Sequence, residues 1–232
     1  MSRYTTRRCV GLVSVTWRER LLRPFFGTLV VVLCASQIPM AVARESLEDP
    51  VLILVLLLGG GSVGKDVSSG VLPLLFTRPL VRTNYVLTKW LALASAIAIL
   101  ATATLLAEAA WMAHRGAGLP GAEIAGAVFT SVTSAFGMTA VLLFFSVLVS
   151  GYSDVLLWIG LLFLPSLAHR YVPRRVAEEW RMFLHPSLDW GVTFGGASIS
   201  WFRLSSYLST VTLCLCLAAL AANRKELSYA SG

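Results

Sequence analysis

Residues 59–66 read Gly-Gly-Gly-Ser-Val-Gly-Lys-Asp, one residue type away from the phosphate-binding pattern GxxxxGK[ST]. In that pattern the final Ser or Thr brings a hydroxyl to magnesium. Asp66 would instead set a carboxylate against the phosphates, and the segment closes an apolar run where a phosphate loop must follow a β-strand and open a helix. Nucleotide binding by these residues is therefore not expected. His114, His169 and His185 do not have ligand-set spacing, and Cys9, Cys34, Cys214 and Cys216 lack the CxxC pairing of a metal site, so no metal is expected and the cysteines read as buried thiols. No Ser-Lys pair, HExxH or paired-Asp arrangement suggests an intramembrane enzyme, and no catalytic residue is assigned.

Two acidic residues beside apolar runs remain as candidates. Glu108 and Glu123 flank a short polar turn and are expected to face one outer vestibule; an ionisable group within a span is a functional candidate by default. Glu108 also has a purely structural reading, in which it lies close enough to the outer surface to reach water, with Arg115 about two turns further on.

The elements that must position these residues are set by composition. Of 232 residues, 56% are hydrophobic and only 13% charged, a balance that selects lipid as the surrounding solvent. A helix crossing a bilayer needs about 20 apolar residues. The sequence holds several such runs separated by short charged segments, which leaves no stretch for a water-soluble domain. The net charge of +7 sits beside the apolar runs instead of forming one basic face, so nucleic acid is not an expected partner.

The fold class expected is all-α: a polytopic membrane protein with six transmembrane helices and an N-terminal amphipathic interfacial helix, forming one domain over 1–232. In residues 8–23, Val10, Val13, Trp17 and Leu21 recur at helical spacing, with Arg8, Arg18, Glu19 and Arg23 at other positions. Pro24 marks the turn into the bilayer. The basic start and apolar run resemble a signal peptide, but the run is too long and lacks a cleavage site, so it is read as a retained first span. The spans are expected at about 24–43, 50–64, 90–113, 122–150, 155–169 and 202–222, the second and fifth being the weakest. Between the last two, Val176, Trp180, Phe183 and Leu184 form an apolar stripe opposite Arg174, Arg175, Glu178 and Arg181, expected as an outer interfacial helix. Gly191, Gly195 and Gly196 among Trp190, Phe194 and Trp201 then suggest an irregular return into the membrane.

With the N-terminus inside, the 19 Lys and Arg divide into 12 cytoplasmic and 7 outer. This satisfies the positive-inside rule and puts both termini in the cytoplasm.

The most informative segment is 64–89, which becomes a cytoplasmic loop in this orientation. It runs through Gly64, Lys65, Asp66, Ser69, Gly70, Leu74, Leu75, Arg78, Pro79, Arg82 and Tyr85 to Lys89. Basic anchoring to the inner leaflet explains its charges but not its ordered Ser-Gly, Leu-Leu and Arg-Pro elements. This order resembles the loop of ABC transporter permeases of the type 2 exporter class, in which an acidic residue, SG, LL, RP, R, Y and K recur. The amphipathic start, six spans and closing Arg224-Lys225-Glu226-Leu227 extend the resemblance over essentially the whole chain. The resemblance implies that the loop at 65–89 forms a coupling helix docked on a separate ABC ATPase subunit, with Asp66, Ser69, Gly70, Leu74, Leu75, Arg78, Pro79 and Arg82 at or beside that contact. Glu is usual in the family where Asp66 stands, and an acidic residue where Pro73 stands, which points to a shorter or kinked coupling helix here.

The resemblance further implies no cofactor in this chain, with ATP and Mg bound by the partner ATPase, and a second permease copy or a related permease completing the path in the plasma membrane, for a bacterial cell the inner membrane. An ATPase-independent secondary carrier or channel is the alternative; it would call for charged or broken helices at the membrane midplane, and few are present. An apolar interior favours an amphiphile over a small ion as substrate.

Overall fold

The computed structural model describes residues 11, 13–18, 24–44, 47, 49–62, 82–149, 153–167, 173–196 and 198–225, and every regular element among them is helical. In order they are α1 (13–18), α2 (Pro24–Arg44), α3 (Val51–Leu54) running on into a π-helical turn (Val55–Gly59), α4 (Arg82–His114), α5 (Gly121–Leu148), α6 (Ser153–Leu167), α7 (Arg174–Leu184), α8 (Trp190–Phe194) and α9 (Trp201–Lys225).

Among the described residues, three helices are long and apolar enough to cross a membrane, within α4, α5 and α9; shorter apolar helices lie within α2 and α6. The chain is therefore a multi-pass membrane protein. Six full spans are not reached in the described residues. The 15 residues of α6 extend about 22 Å at 1.5 Å per residue, less than the roughly 30 Å of a hydrocarbon core. The second expected span is shorter still, with 4 α-helical and 5 π-helical residues before the backbone turns at Gly60. Three consecutive glycines explain that stop. Gly61 takes a φ of 63°, a left-handed conformation that side-chain-bearing residues avoid.

Helix ends elsewhere follow local chemistry. α4 closes with a Schellman-type arrangement: Ala117 N–H donates to Met112 C=O at 3.0 Å, and Gly116 has φ 82°. Pro120 then caps α5, whose first turn carries Glu123, favourably placed on the helix dipole. At its other end α4 starts at Arg82, not near Trp90, because nothing between them breaks a helix once Pro79 is passed. The last turns of the expected loop thus belong to a span.

α5 is the centre. From Gly137 to Val147 nearly every residue is buried, as expected for a helix enclosed on all sides. It packs against α4, α6, α8, α9 and the π turn. The main core gathers Leu54, Leu58, Ile97, Met138, Leu142 and Trp158, while a second cluster of Tyr85, Val86, Leu93, Leu143, Val147 and Ala218 joins α4, α5 and α9 near the 63–81 segment. That end of the bundle is called the loop end below.

α7 is not an isolated surface helix. Trp180 Nε1 donates to Leu161 C=O at 3.0 Å and Trp158 Nε1 to Leu184 C=O at 2.9 Å, so α7 runs back antiparallel along α6. Of the expected apolar stripe, Leu184 is buried and Phe183 half-buried, while Val176 and Trp180 are exposed. Pro186 ends the helix, since a residue preceding proline is pushed out of the α region; His185 has φ −128°. Residues 185–189 and α8 then close over α5 as a cap at the bundle's other end.

Candidate functional site

Asp66, Ser69, Gly70, Leu74, Leu75, Arg78 and Pro79 lie outside the described residues. What the structure describes is the frame from which that segment hangs. Its entrance is the Gly60–Ser62 turn after the π turn, and its exit is Arg82, the first residue of α4.

The entrance is gripped from two sides. A Cβ on Gly59 would lie 2.7 Å from Leu142 Cδ2, so the end of the π turn sits directly on α5 with no space for a side chain. On the other side Gly61 N–H donates to Asp154 Oδ2 at 2.9 Å, across 93 residues of sequence. Asp154 is the second residue of α6; its Oδ1 also accepts from Val155 N–H at 2.8 Å. It is 0% exposed, and its position in the first turn suits the helix dipole. A carboxylate at such depth is retained only where donors satisfy it, and two backbone N–H groups do so here. Ser62, 1% exposed, has a hydroxyl with no hydrogen-bond partner among the described residues.

The exit is braced by aromatic and basic side chains. Tyr85 and Lys89 are buried one turn apart, with Lys89 Nζ donating to Tyr85 Oη at 3.4 Å and lying 5.6 Å from the ring centroid. Within the next turn, Trp17 of α1 donates through Nε1 to Ala92 C=O at 2.8 Å, and Trp90 Nε1 donates to Phe136 C=O of α5 at 3.0 Å. The carbonyls that accept are already part of helical ladders and use a second lone pair.

The two acidic candidates separate. Glu123 is exposed in the first turn of α5 and lines a cavity of about 290 Å³ with Asp49, Thr130, Ser131, Asp189 and Gly191 among others. Glu108 does not line that cavity, and it is 0% exposed, so the reading in which it reaches outer water is corrected. One face of α4 is covered by neighbouring helices at that level, a fact the apolar sequence around Glu108 could not reveal. Asp49 ties the cavity wall together: its Oδ1 accepts from Ser131 Oγ at 2.7 Å and from Val51 N–H at 3.2 Å.

The cap seats on α5 through backbone. A Cβ on Gly126 would lie 2.7 Å from Gly191 Cα, and one on Gly137 only 2.5 Å from Pro186 O. Trp190 N–H donates to Thr130 Oγ1 at 2.9 Å, and Tyr207 Oη to Thr133 C=O at 2.8 Å. Burial lowers the pKa of His185 below 6.5, with the Asp49 charge opposing in part and Arg181 adding to the shift. Among the described residues no three of His, Cys, Asp and Glu converge as metal ligands would.

Sequence reading passed over Asp154, Asp49 and Asp189. Asp154 carried a signal, a lone carboxylate beside an apolar run, but it reads as an interruption between spans until the residue 93 positions away is seen beside it. Residues 31–224 match the family described as ABC-2 family transporter protein. No curated protein and no solved structure gives a significant match.

Proposed function

The chain belongs to the ABC-2 family of transporter proteins, and from that premise we propose that it is the membrane permease subunit of an ATP-driven exporter, docked on a separate ATPase through residues 64–89. The carrying observation is the ordered run Asp66, Ser69-Gly70, Leu74-Leu75, Arg78-Pro79 and Arg82, set between two membrane-embedded helices in a chain that the family covers from residue 31 to 224.

In this reading the ATPase subunit holds ATP and Mg and carries out all of the chemistry. This chain supplies a docking element and a path. Leu74 and Leu75 provide the apolar contact with a groove of the ATPase, and Asp66, Arg78 and Arg82 flank it with charge. Closure of two ATPases on ATP displaces the loop, and the displacement reorients helices that are rigidly joined to its ends. The firm grip on Gly59 and Gly61 at one end and on the Tyr85–Ala92 turns at the other supports this, because a loop hung on slack ends would absorb the movement. Two such chains, or this one with a related permease, enclose the path, with both termini and the loop in the cytoplasm and the cap on the outer side of the plasma membrane.

The test is co-purification in detergent of the tagged chain from its native cells, comparing wild type with a variant changed at Gly70, Leu74 and Arg78. An ATPase subunit is expected with wild type and is lost or weakened with the variant. A folded chain that brings down no ATPase in any nucleotide condition would sink the reading.

A further inference from the structure

The loop entrance is held by a feature that the docking reading does not itself require. Gly59 to Ser62 combines the end of a π turn, a left-handed glycine and a buried hydroxyl without a partner among the described residues, three departures from relaxed helical structure within a few residues. Such a conformation persists only where its surroundings fix it. Leu142 blocks it on one face, but a side-chain carbon exerts only exclusion. The directional restraint is the Asp154 carboxylate, which belongs to α6 and not to the helix that the loop leaves.

From α6 the connections continue. Trp158, one turn beyond Asp154 and 0% exposed, donates to Leu184 C=O at the end of α7. The following residues, 185–189, pass over Gly137 of α5 and lead to Asp189 and Gly191 in the cavity wall. The same hairpin therefore grips the loop entrance through the start of α6 and sends out the cap segment from the end of α7, which lies beside Trp158 only one turn from Asp154.

We infer that Asp154 is the positioning residue of this transporter's loop: its bond to Gly61 fixes the entrance against the α6–α7 hairpin, so that a displacement of the loop is passed through the hairpin to the cap cavity. Without that bond, α3 would follow the loop while the hairpin and cap stayed behind. The inference rests on the docking reading above for the source of the displacement, and on the structure for its route. Coupling along such a route is established only by perturbing it.

The test uses two cysteine reporters in a full-length chain whose Cys9, Cys34, Cys214 and Cys216 are replaced by alanine. Ser62→Cys reports on the buried entrance and Ser187→Cys on the exposed cap segment. Labelling rates with a polar maleimide are measured in the detergent-solubilised complex with its co-purified ATPase, with and without ATP and vanadate. In the Asp154 background, Ser62→Cys is expected to be protected at rest, and trapping is expected to change labelling at both reporters. Asp154→Asn keeps the volume but turns an amide toward one of the two N–H donors. It is expected to raise resting labelling of Ser62→Cys on the order of tenfold and to abolish the response of Ser187→Cys while that of Ser62→Cys remains. Asp154→Ala repeats the comparison without an amide, and a monodisperse elution profile establishes folding in each case.

A Ser62→Cys that stays protected in both variants overturns the inference, as does a Ser187→Cys response that survives in both. If the wild-type complex carries no ATPase, or neither reporter responds to trapping, the docking reading and the transmission drawn from it both fall. Deprotection of Ser62→Cys in the Asp154 variants would still show that this carboxylate sets the entrance, which separates the two failures.

Discussion

At the cap end, α5 is held by Trp190 on Thr130, by Tyr207 on Thr133, and by two glycines on which the cap backbone rests with no space for a side chain. At the loop end, the π turn rests on Leu142 of α5, and the turn that follows it is tied to α6 by one carboxylate reaching one backbone N–H, that of Gly61. The first arrangement spreads its restraint over neutral bonds and close packing, so no one loss frees it. The second adds to that packing a single directional restraint, a carboxylate acceptor, whose hydrogen bonds are roughly twice as strong as neutral ones and can be removed in one step. An end built to stay still and an end built to be moved would differ in this way.

Four measurements press on the contrast, beginning with the largest effect. Trp158→Ala removes the fully buried indole that joins the hairpin's two arms, and should destabilise the detergent-solubilised protein by about 3–5 kcal/mol, seen as a large drop in melting temperature or failure to purify. A melting temperature near wild type would mean that α6 and α7 are not one body. Gly126→Ala places a methyl group against the Gly191 backbone and should cost about 1–3 kcal/mol, with greater protease access at 185–196 if the cap lifts. Unchanged access would deny that the cap rests on this glycine.

Thr130→Val leaves the shape of α5 but removes the acceptor of Trp190 N–H, and should cost about 1 kcal/mol, with cap protection retained by its other contacts. If this one change freed the cap as completely as Asp154→Asn frees the loop entrance, the contrast between the ends would vanish. The smallest effect is that of pH. His185 is held neutral by burial, so its folded pKa lies below 6.5 and the unfolded chain takes up its proton first. Stability should therefore be full above about 6.5 and decline as pH falls from there toward the lowered folded value. Melting curves between pH 7.5 and 5 should show a shallow decline that His185→Gln flattens; an equal slope in the variant would place the titration elsewhere.

The expected class and the long spans were legible because lipid demands long apolar runs, and breakers such as Pro120 and Gly116 mark where they end. The second span's early stop at Gly59–Gly61 was written in its glycines, although the run was read on to Gly64. Glu108 and α7 were harder. In a soluble helix the polar face names the solvent side, but both the lipid and the packed side of a membrane helix are apolar, so periodicity cannot say which side of α4 its neighbours cover. For α7 an amphipathic stripe fits a membrane surface and a partner helix equally, and the Trp180 and Trp158 bonds add the neighbour that periodicity could not name, α6. Asp154 and Gly61 carry local signals of a break, yet their juxtaposition belongs to tertiary structure.

The all-round enclosure of α5 has a consequence for how the sequence can vary. Of the most apolar stretch of α5, 72% is buried within a single copy, against 22% for α9. Random substitution along α9 should therefore exchange one lipid-compatible side chain for another with little penalty at most positions. Along α5 it should be tolerated mainly where size is conserved, and small residues such as Ser134, Ala135, Gly137 and Ala140 should be nearly immutable. A deep mutational scan would thus draw α5 as an almost unbroken band of intolerance, and α9 as a sparse stripe recurring every three to four residues.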